Sequence, residues 1–147
     1  MQPRRAATWG LTAYGLILGV VALWPSPVDR PVAGLLRKAL RKLHLWGIPD
    51  WVDYGRVEVA SNVLLFVPLG ALVAWILGMR YWWVGTAAGI VLSGLIELAQ
   101  LLFLPARFPS LADVAANSLG AMLGGLLALL LMARRKAGRR RQRARTL

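Results

Sequence analysis

Long apolar runs separated by short charged intervals set the character of this chain. Residues 6–24, 57–79, 81–104 and 111–133 each approach the ~20 mainly apolar residues that a membrane span needs. Within them the charged side chains reduce to Glu58, Glu97 and Asp113. Backbone groups in hydrocarbon must bond within their own segment, so each run is expected to be helical. The pattern therefore predicts an all-α, integral membrane bundle of four transmembrane helices. The first run follows Arg4 and Arg5 as a signal sequence would, but it ends in Trp24-Pro25-Ser26-Pro27 with no small-x-small cleavage site. It is expected to be an uncleaved span.

The long connection between the first two spans has a pattern of its own. Over residues 31–46, Val32, Leu35, Leu36, Ala39, Leu40 and Leu43 recur at helical spacing, with Arg37, Lys38, Arg41 and Lys42 on the opposite face. Asp29 and Pro31 suit a helix start, and Gly47 with Pro49 suits its stop. A helix split in this way lies flat at a headgroup region. It could be a connector that follows the surface, or it could recruit anionic lipid or a lipid-linked substrate.

Charge supplies the orientation. The chain has 147 residues, 58% of them hydrophobic, with 18 Lys or Arg against 6 acidic residues and a net charge of +12. Such a charge also suits nucleic-acid binding, but here the cations flank apolar runs, and no aromatic side chain interrupts the C-terminal basic run to stack on bases. Nucleic acid is not an expected partner. Arg4 and Arg5, Arg80, and the basic residues of 134–147 fall on one side of a four-span topology, which places both termini in the cytoplasm by the positive-inside rule. Trp9, Trp75, Trp82 and Trp83 then lie near the inner boundary, and Trp24, Trp46 and Trp51 near the outer one. The domain is expected to end near residue 133, with residues 134–147 forming a disordered basic tail that fixes topology or touches anionic inner-leaflet lipid. The chain has no Cys and His44 is its one His. Thiolate and multi-histidine metal sites are excluded, and no metal or other cofactor is expected.

Against this apolar background the polar residues of the spans stand out: Asn62, Glu97, Gln100, Arg107, Asp113 and Asn117, with Ser61 and Ser93 as weaker members. Ser93, Glu97 and Gln100 are spaced i, i+4, i+7 and share a helix face, as do Asp113, Asn117, Gly120 and Gly124. At 1.5 Å per residue, Asn62 lies ~8 Å below the outer end of its helix, Glu97 ~10 Å and Gln100 ~6 Å. Asp113 falls in the first turn of its helix and Asn117 about one turn deeper. Arg107 occupies the short connection between the third and fourth spans. These six are the candidate ligand-binding residues, and together they predict a polar pocket opening to the outer face. Each also has a structural reading. Ser110-x-x-Asp113 matches a capping signature, Asn62 and Asn117 could be hydrogen-bond glue between helices, and Glu97 could pair with Arg107. Pro68 predicts a kink in the second span. Gly15-x-x-x-Gly19, Gly85-x-x-x-Gly89 and Gly120-x-x-x-Gly124 predict close helix packing.

With these residues the chain resembles the VanZ-like family of small bacterial membrane proteins. The resemblance rests on Asn62-Val63-Leu64-Leu65-Phe66-Val67-Pro68-Leu69-Gly70, then Ser93-x-x-x-Glu97-x-x-Gln100, then Arg107-x-x-Ser110-x-x-Asp113-x-x-x-Asn117-x-x-Gly120. It covers roughly residues 53–124; an Asp such as Asp53 commonly precedes the first motif in that family. It implies a multi-pass protein of the bacterial inner membrane, concerned with the cell envelope. The family's namesake is associated with low-level antibiotic resistance to the glycopeptide teicoplanin. The implied partners are membrane lipids and either a lipid-linked cell-wall precursor or a lipophilic glycopeptide, with an oligomer also compatible. Two carboxylates and an Arg in one pocket leave open an enzyme acting on a lipid-linked substrate. A lone intramembrane Glu leaves open a small oligomeric transporter. No catalytic residue is assigned.

Overall fold

The computed structural model describes residues 2–23, 30–104 and 110–145. Five α-helices are present among them: α1 (Gln2–Ala22), α2 (Arg30–Leu45), α3 (Tyr54–Leu77), α4 (Trp83–Phe103) and α5 (Leu111–Arg145). A 3₁₀ turn, Met79–Tyr81, links α3 to α4. All but α2 contain a window long and apolar enough to cross a membrane. The protein is an all-α, multi-pass membrane bundle, as its hydrophobic pattern predicts.

Residue pairings define the arrangement. Asn62 meets Asp113, while Val63 and Val67 back onto Gly120 and Gly124, so position rises along both chains and α3 and α5 run parallel. Gly85 abuts Gly70, Gly89 abuts Ala121 and Ser93 bonds Asn117, so α4 runs opposite to both. Leu72 faces Gly10, and Tyr14 donates its hydroxyl to the Leu65 carbonyl at 2.5 Å, setting α1 antiparallel to α3. One end of the bundle therefore carries the start of α1, the end of α5 and the 3₁₀ turn. The other, called the loop end below, carries the remaining connections and α2.

Glycine determines how close these helices come. A Cβ on Gly70, Gly120 or Gly124 would run into the backbone carbonyl of Ala121, Val63 or Val67. Only a residue without a side chain lets the α3 and α5 backbones touch, and that close packing drives association in lipid, where burial of apolar surface contributes little. Two of the three glycine pairs noted in the sequence are used in this way. Gly15 and Gly19 of α1 face open space. Leu18, Phe66, Leu69 and Ala121 form the buried core beside the glycine seam. Apolar residues such as Leu16, Leu64, Leu101 and Phe103 stay exposed, as side chains facing lipid would.

The helix ends follow local chemistry. Asp53 caps α3, its carboxylate accepting the Arg56 N–H at 2.9 Å, so the helix starts three residues before the apolar run. It continues unbroken through Pro68; the proline removes a single donor, and neighbours α1, α4 and α5 hold the helix in place. α2 ends in a Schellman motif. Ile48 N–H bonds the Leu43 carbonyl at 3.1 Å and Gly47 N–H the His44 carbonyl at 3.0 Å, with Gly47 at φ 96°. The C-terminal segment departs from expectation. Residues 134–145, read as a disordered tail, continue α5 as a basic helix. The costly nucleation step is already met inside the span, and Ala, Arg, Lys and Gln favour propagation against the single Gly138.

Candidate functional site

The polar residues of the spans gather at the loop end, where α4 and α5 converge beside α3. Glu97 enters from the last turns of α4, and its carboxylate accepts the backbone N–H of Ser110 at 2.8 Å. Ser110 precedes the first residue of α5, so this N–H is one of the donors that a helix start leaves unsatisfied. Asp113, in the first turn of α5, accepts from the Asn62 side chain of α3 at 2.9 Å. One turn deeper, the Asn117 amide donates to the Ser93 hydroxyl at 2.8 Å. Ser93 is wholly buried and Asn117 is 7% exposed.

This arrangement decides between two readings of Asp113. In a capping box the Ser hydroxyl and the acidic residue three positions later satisfy each other's backbone N–H groups. Half of that box is present, because the Asp113 N–H approaches the Ser110 hydroxyl at 3.4 Å. The reciprocal half is taken over by Glu97, a residue of another helix. Asp113 is thereby released to hold Asn62. The bond that looked local in the sequence is a tertiary one.

Both carboxylates sit at the N-terminus of α5, whose partial positive charge favours anionic groups. Here the Asn62 amide donates to Asp113 and the Ser110 N–H to Glu97. Below them the Asn117 side-chain oxygen is buried with no hydrogen-bond partner. Reversing the amide would leave its nitrogen unpaired instead, so one half of this group is unsatisfied in either orientation. The cluster is rich in acceptors and suits a donor such as a hydroxyl or an amine.

Five candidates can be placed. Asn62, Glu97, Asp113 and Asn117 come together as described, with Ser93. Gln100 does not join them. It is buried, and its amide donates to the Ala22 carbonyl at 2.8 Å, satisfying the last turn of α1. The i, i+4, i+7 spacing put Gln100 on the same face as Glu97 but could not show that α1 lies beyond it. Arg107 lies outside the described residues. Two participants escaped the sequence reading. Ser110 was visible only as a cap, and its role as donor to Glu97 has no local signature. Tyr14, which ties α1 to α3, is one aromatic residue in an apolar run and carried no signal at all.

Among families of known proteins, the VanZ/LLP1 model matches residues 11–132, from within α1 almost to the end of the apolar part of α5. No curated protein and no solved structure matches the chain.

Proposed function

The chain belongs to the VanZ/LLP1 family, and from that premise we propose that it is a cell-envelope membrane protein whose loop end binds a lipophilic or lipid-linked ligand in a polar recess. The observation that carries this reading is the convergence of Glu97, Asp113, Asn62 and Asn117 from three helices onto one end of an otherwise apolar bundle. Polar groups inside a membrane are costly and usually mark a functional path or pocket. The basic residues of the N-terminus and of residues 134–145 favour the cytoplasm by the positive-inside rule. The recess then opens outward, at the face where wall precursors and glycopeptides are met.

The recess offers two carboxylates and an amide oxygen, an acceptor set that complements the hydroxyls and amines of glycosylated or aminated headgroups. A bacterial wall precursor on a lipid carrier and a lipophilic glycopeptide such as teicoplanin share this chemistry. Arg107 serves in this reading as the cation that balances Glu97 or pairs with an anionic group of the ligand. The resulting activity is protection against teicoplanin at the inner membrane.

The experiment is teicoplanin susceptibility of a bacterial host expressing the intact protein, Glu97→Gln, Asp113→Asn or Arg107→Ala, with each level in the membrane checked by immunoblot. The intact protein should raise tolerance, and the carboxyl variants should return it to that of the empty host. Full tolerance in all three variants, together with unchanged retention of lipid-linked precursor by the purified proteins, would defeat the reading.

A further inference from the structure

α2 is attached to the loop end in a way that a mere connector does not need. Leu40 is buried, the Arg37 guanidinium stacks over the Tyr54 ring at 4.9 Å, and His44 Nε2 lies 3.0 Å from the Val52 carbonyl. The Schellman end at Gly47 stops the helix at a defined point. The helix is thus held in a fixed orientation against the start of α3, and that orientation leaves Arg37, Lys38, Arg41 and Lys42 exposed. No acidic residue occurs from Arg30 to Pro49, so the field of this face has a single sign. Along the chain the flanking carboxylates are Asp29 before the helix, and after it Asp50, which lies 3.8 Å from His44, and Asp53, which is engaged as the cap of α3. A solvated connector needs only polarity, and alternating charges would supply it with less self-repulsion.

Bulky apolar groups flank the cationic face. Leu35 is 70% exposed, Leu45 85%, Trp46 80% and Trp51 60%. Arg56 packs over the Trp51 ring at 5.1 Å, placing another cation beside an exposed indole. A cationic arc bordered by an exposed Leu35, with Leu45 and two indoles at its C-terminal end, has the features of a helix embedded at a membrane surface. We infer that α2 is a docking surface for anionic phospholipid, gathering phosphate headgroups of the leaflet that borders the loop end. Phosphate oxygens meet the Lys and Arg heads, while Leu35, Leu45 and the indoles lie among the upper acyl carbons. This surface is separate from the Glu97–Asp113 recess and stands independently of what that recess binds.

The absence of Cys allows a direct test. Leu45→Cys, labelled with a fluorophore, reports on the lipid next to α2 in the full-length protein. The protein is reconstituted into phosphatidylcholine vesicles containing phosphatidylglycerol in both leaflets, with bromine carried by one lipid or the other as quencher. The brominated phosphatidylglycerol is expected to quench more strongly than the same mole fraction of brominated phosphatidylcholine, and high salt should reduce the difference. Each basic residue near an anionic surface is worth roughly fivefold in affinity. The combined variant Lys38→Gln, Arg41→Gln and Lys42→Gln should therefore lower the preference by about an order of magnitude or more. These residues are exposed, so the fold should survive, and the conservative Arg41→Lys should keep the preference. Truncation after residue 133 should leave it intact, as should Glu97→Gln. Equal quenching by the two lipids, an undiminished preference in the combined variant, or a preference that disappears with the C-terminal basic helix would each overturn the inference.

Discussion

Two junctions unite α3, α4 and α5, and they rest on opposite chemistry. Deeper in the bundle, Gly70, Gly85, Gly120 and Gly124 bring backbones together because they project nothing between them, and Gly89 makes room for the Ala121 methyl. At the loop end, Asn62, Ser93, Glu97, Ser110, Asp113 and Asn117 bridge the same helices through side-chain hydrogen bonds. A glycine contact fails abruptly, because an added carbon meets a neighbouring main chain at Gly70, Gly85, Gly120 and Gly124, and the rigid Cβ of Ala121 at Gly89, none of which can turn aside. A part-buried polar contact such as Asn62–Asp113 fails gradually, because a group that loses its partner near a membrane rim can find another or reach water; the buried Ser93–Asn117 bond has less latitude. The first junction is therefore architecture. The second can lend its groups to a ligand without dissolving the bundle.

The strongest way to break this comparison is to fill the seam. Gly120→Leu and Gly70→Leu should each destabilise the protein by about 3 kcal/mol or more through overpacking against carbonyls, read as loss of folded protein in detergent unfolding curves. Gly15→Leu, at a position with open space around it, should stay within ~0.5 kcal/mol. Equal losses at Gly15 and Gly120 would erase the distinction.

Smaller effects belong to the rim. Asn117→Leu removes the partner of the fully buried Ser93 hydroxyl and should cost about 1–2 kcal/mol in the same unfolding assay. A double-mutant cycle of Asn62→Ala and Asp113→Ala should return a coupling of about 0.6–1.7 kcal/mol, the range for hydrogen bonds between membrane helices. Glu97→Gln keeps an oxygen to accept the Ser110 N–H, so its stability loss should be only about 1 kcal/mol. That small loss beside a complete loss of teicoplanin tolerance would sharpen the contrast between architecture and function. The mildest change is truncation after residue 133, which removes the basic extension of α5 with its Arg135 stack over the Trp75 ring. It should leave the unfolding midpoint within the equivalent of ~0.5 kcal/mol.

Much of the polar cluster was legible before any tertiary information. Glu97, Asp113, Asn62 and Asn117 announced themselves as polar groups in apolar runs, and helical spacing assigned each to a face. Gln100 shows the limit of that logic. Spacing places a residue on a stripe about one helix but does not say which neighbour the stripe meets, and Gln100 meets the end of α1. Ser110 and Asp113 show a second limit. Their spacing matched a local cap, yet the acceptor for the Ser110 N–H is Glu97, 13 residues earlier in the chain. The basic tail shows a third. Charge density suggested disorder, whereas attachment to a preformed span lets the same residues remain helical.

Four spans, an amphipathic helix with its stop at Gly47, and a set of polar positions within apolar runs were settled by residue order alone. These depend on length, periodicity and short-range conformational preference, which each segment carries by itself. Which donor found which acceptor was settled only in three dimensions. Asn62 and Asp113 are 51 residues apart, and their contact depends on how closely α3 approaches α5, a spacing imposed deeper in the bundle by glycines that meet main-chain carbonyls. A hydrogen bond reaches only about 3 Å, so its partner is chosen by the distance between helices, which no single segment encodes.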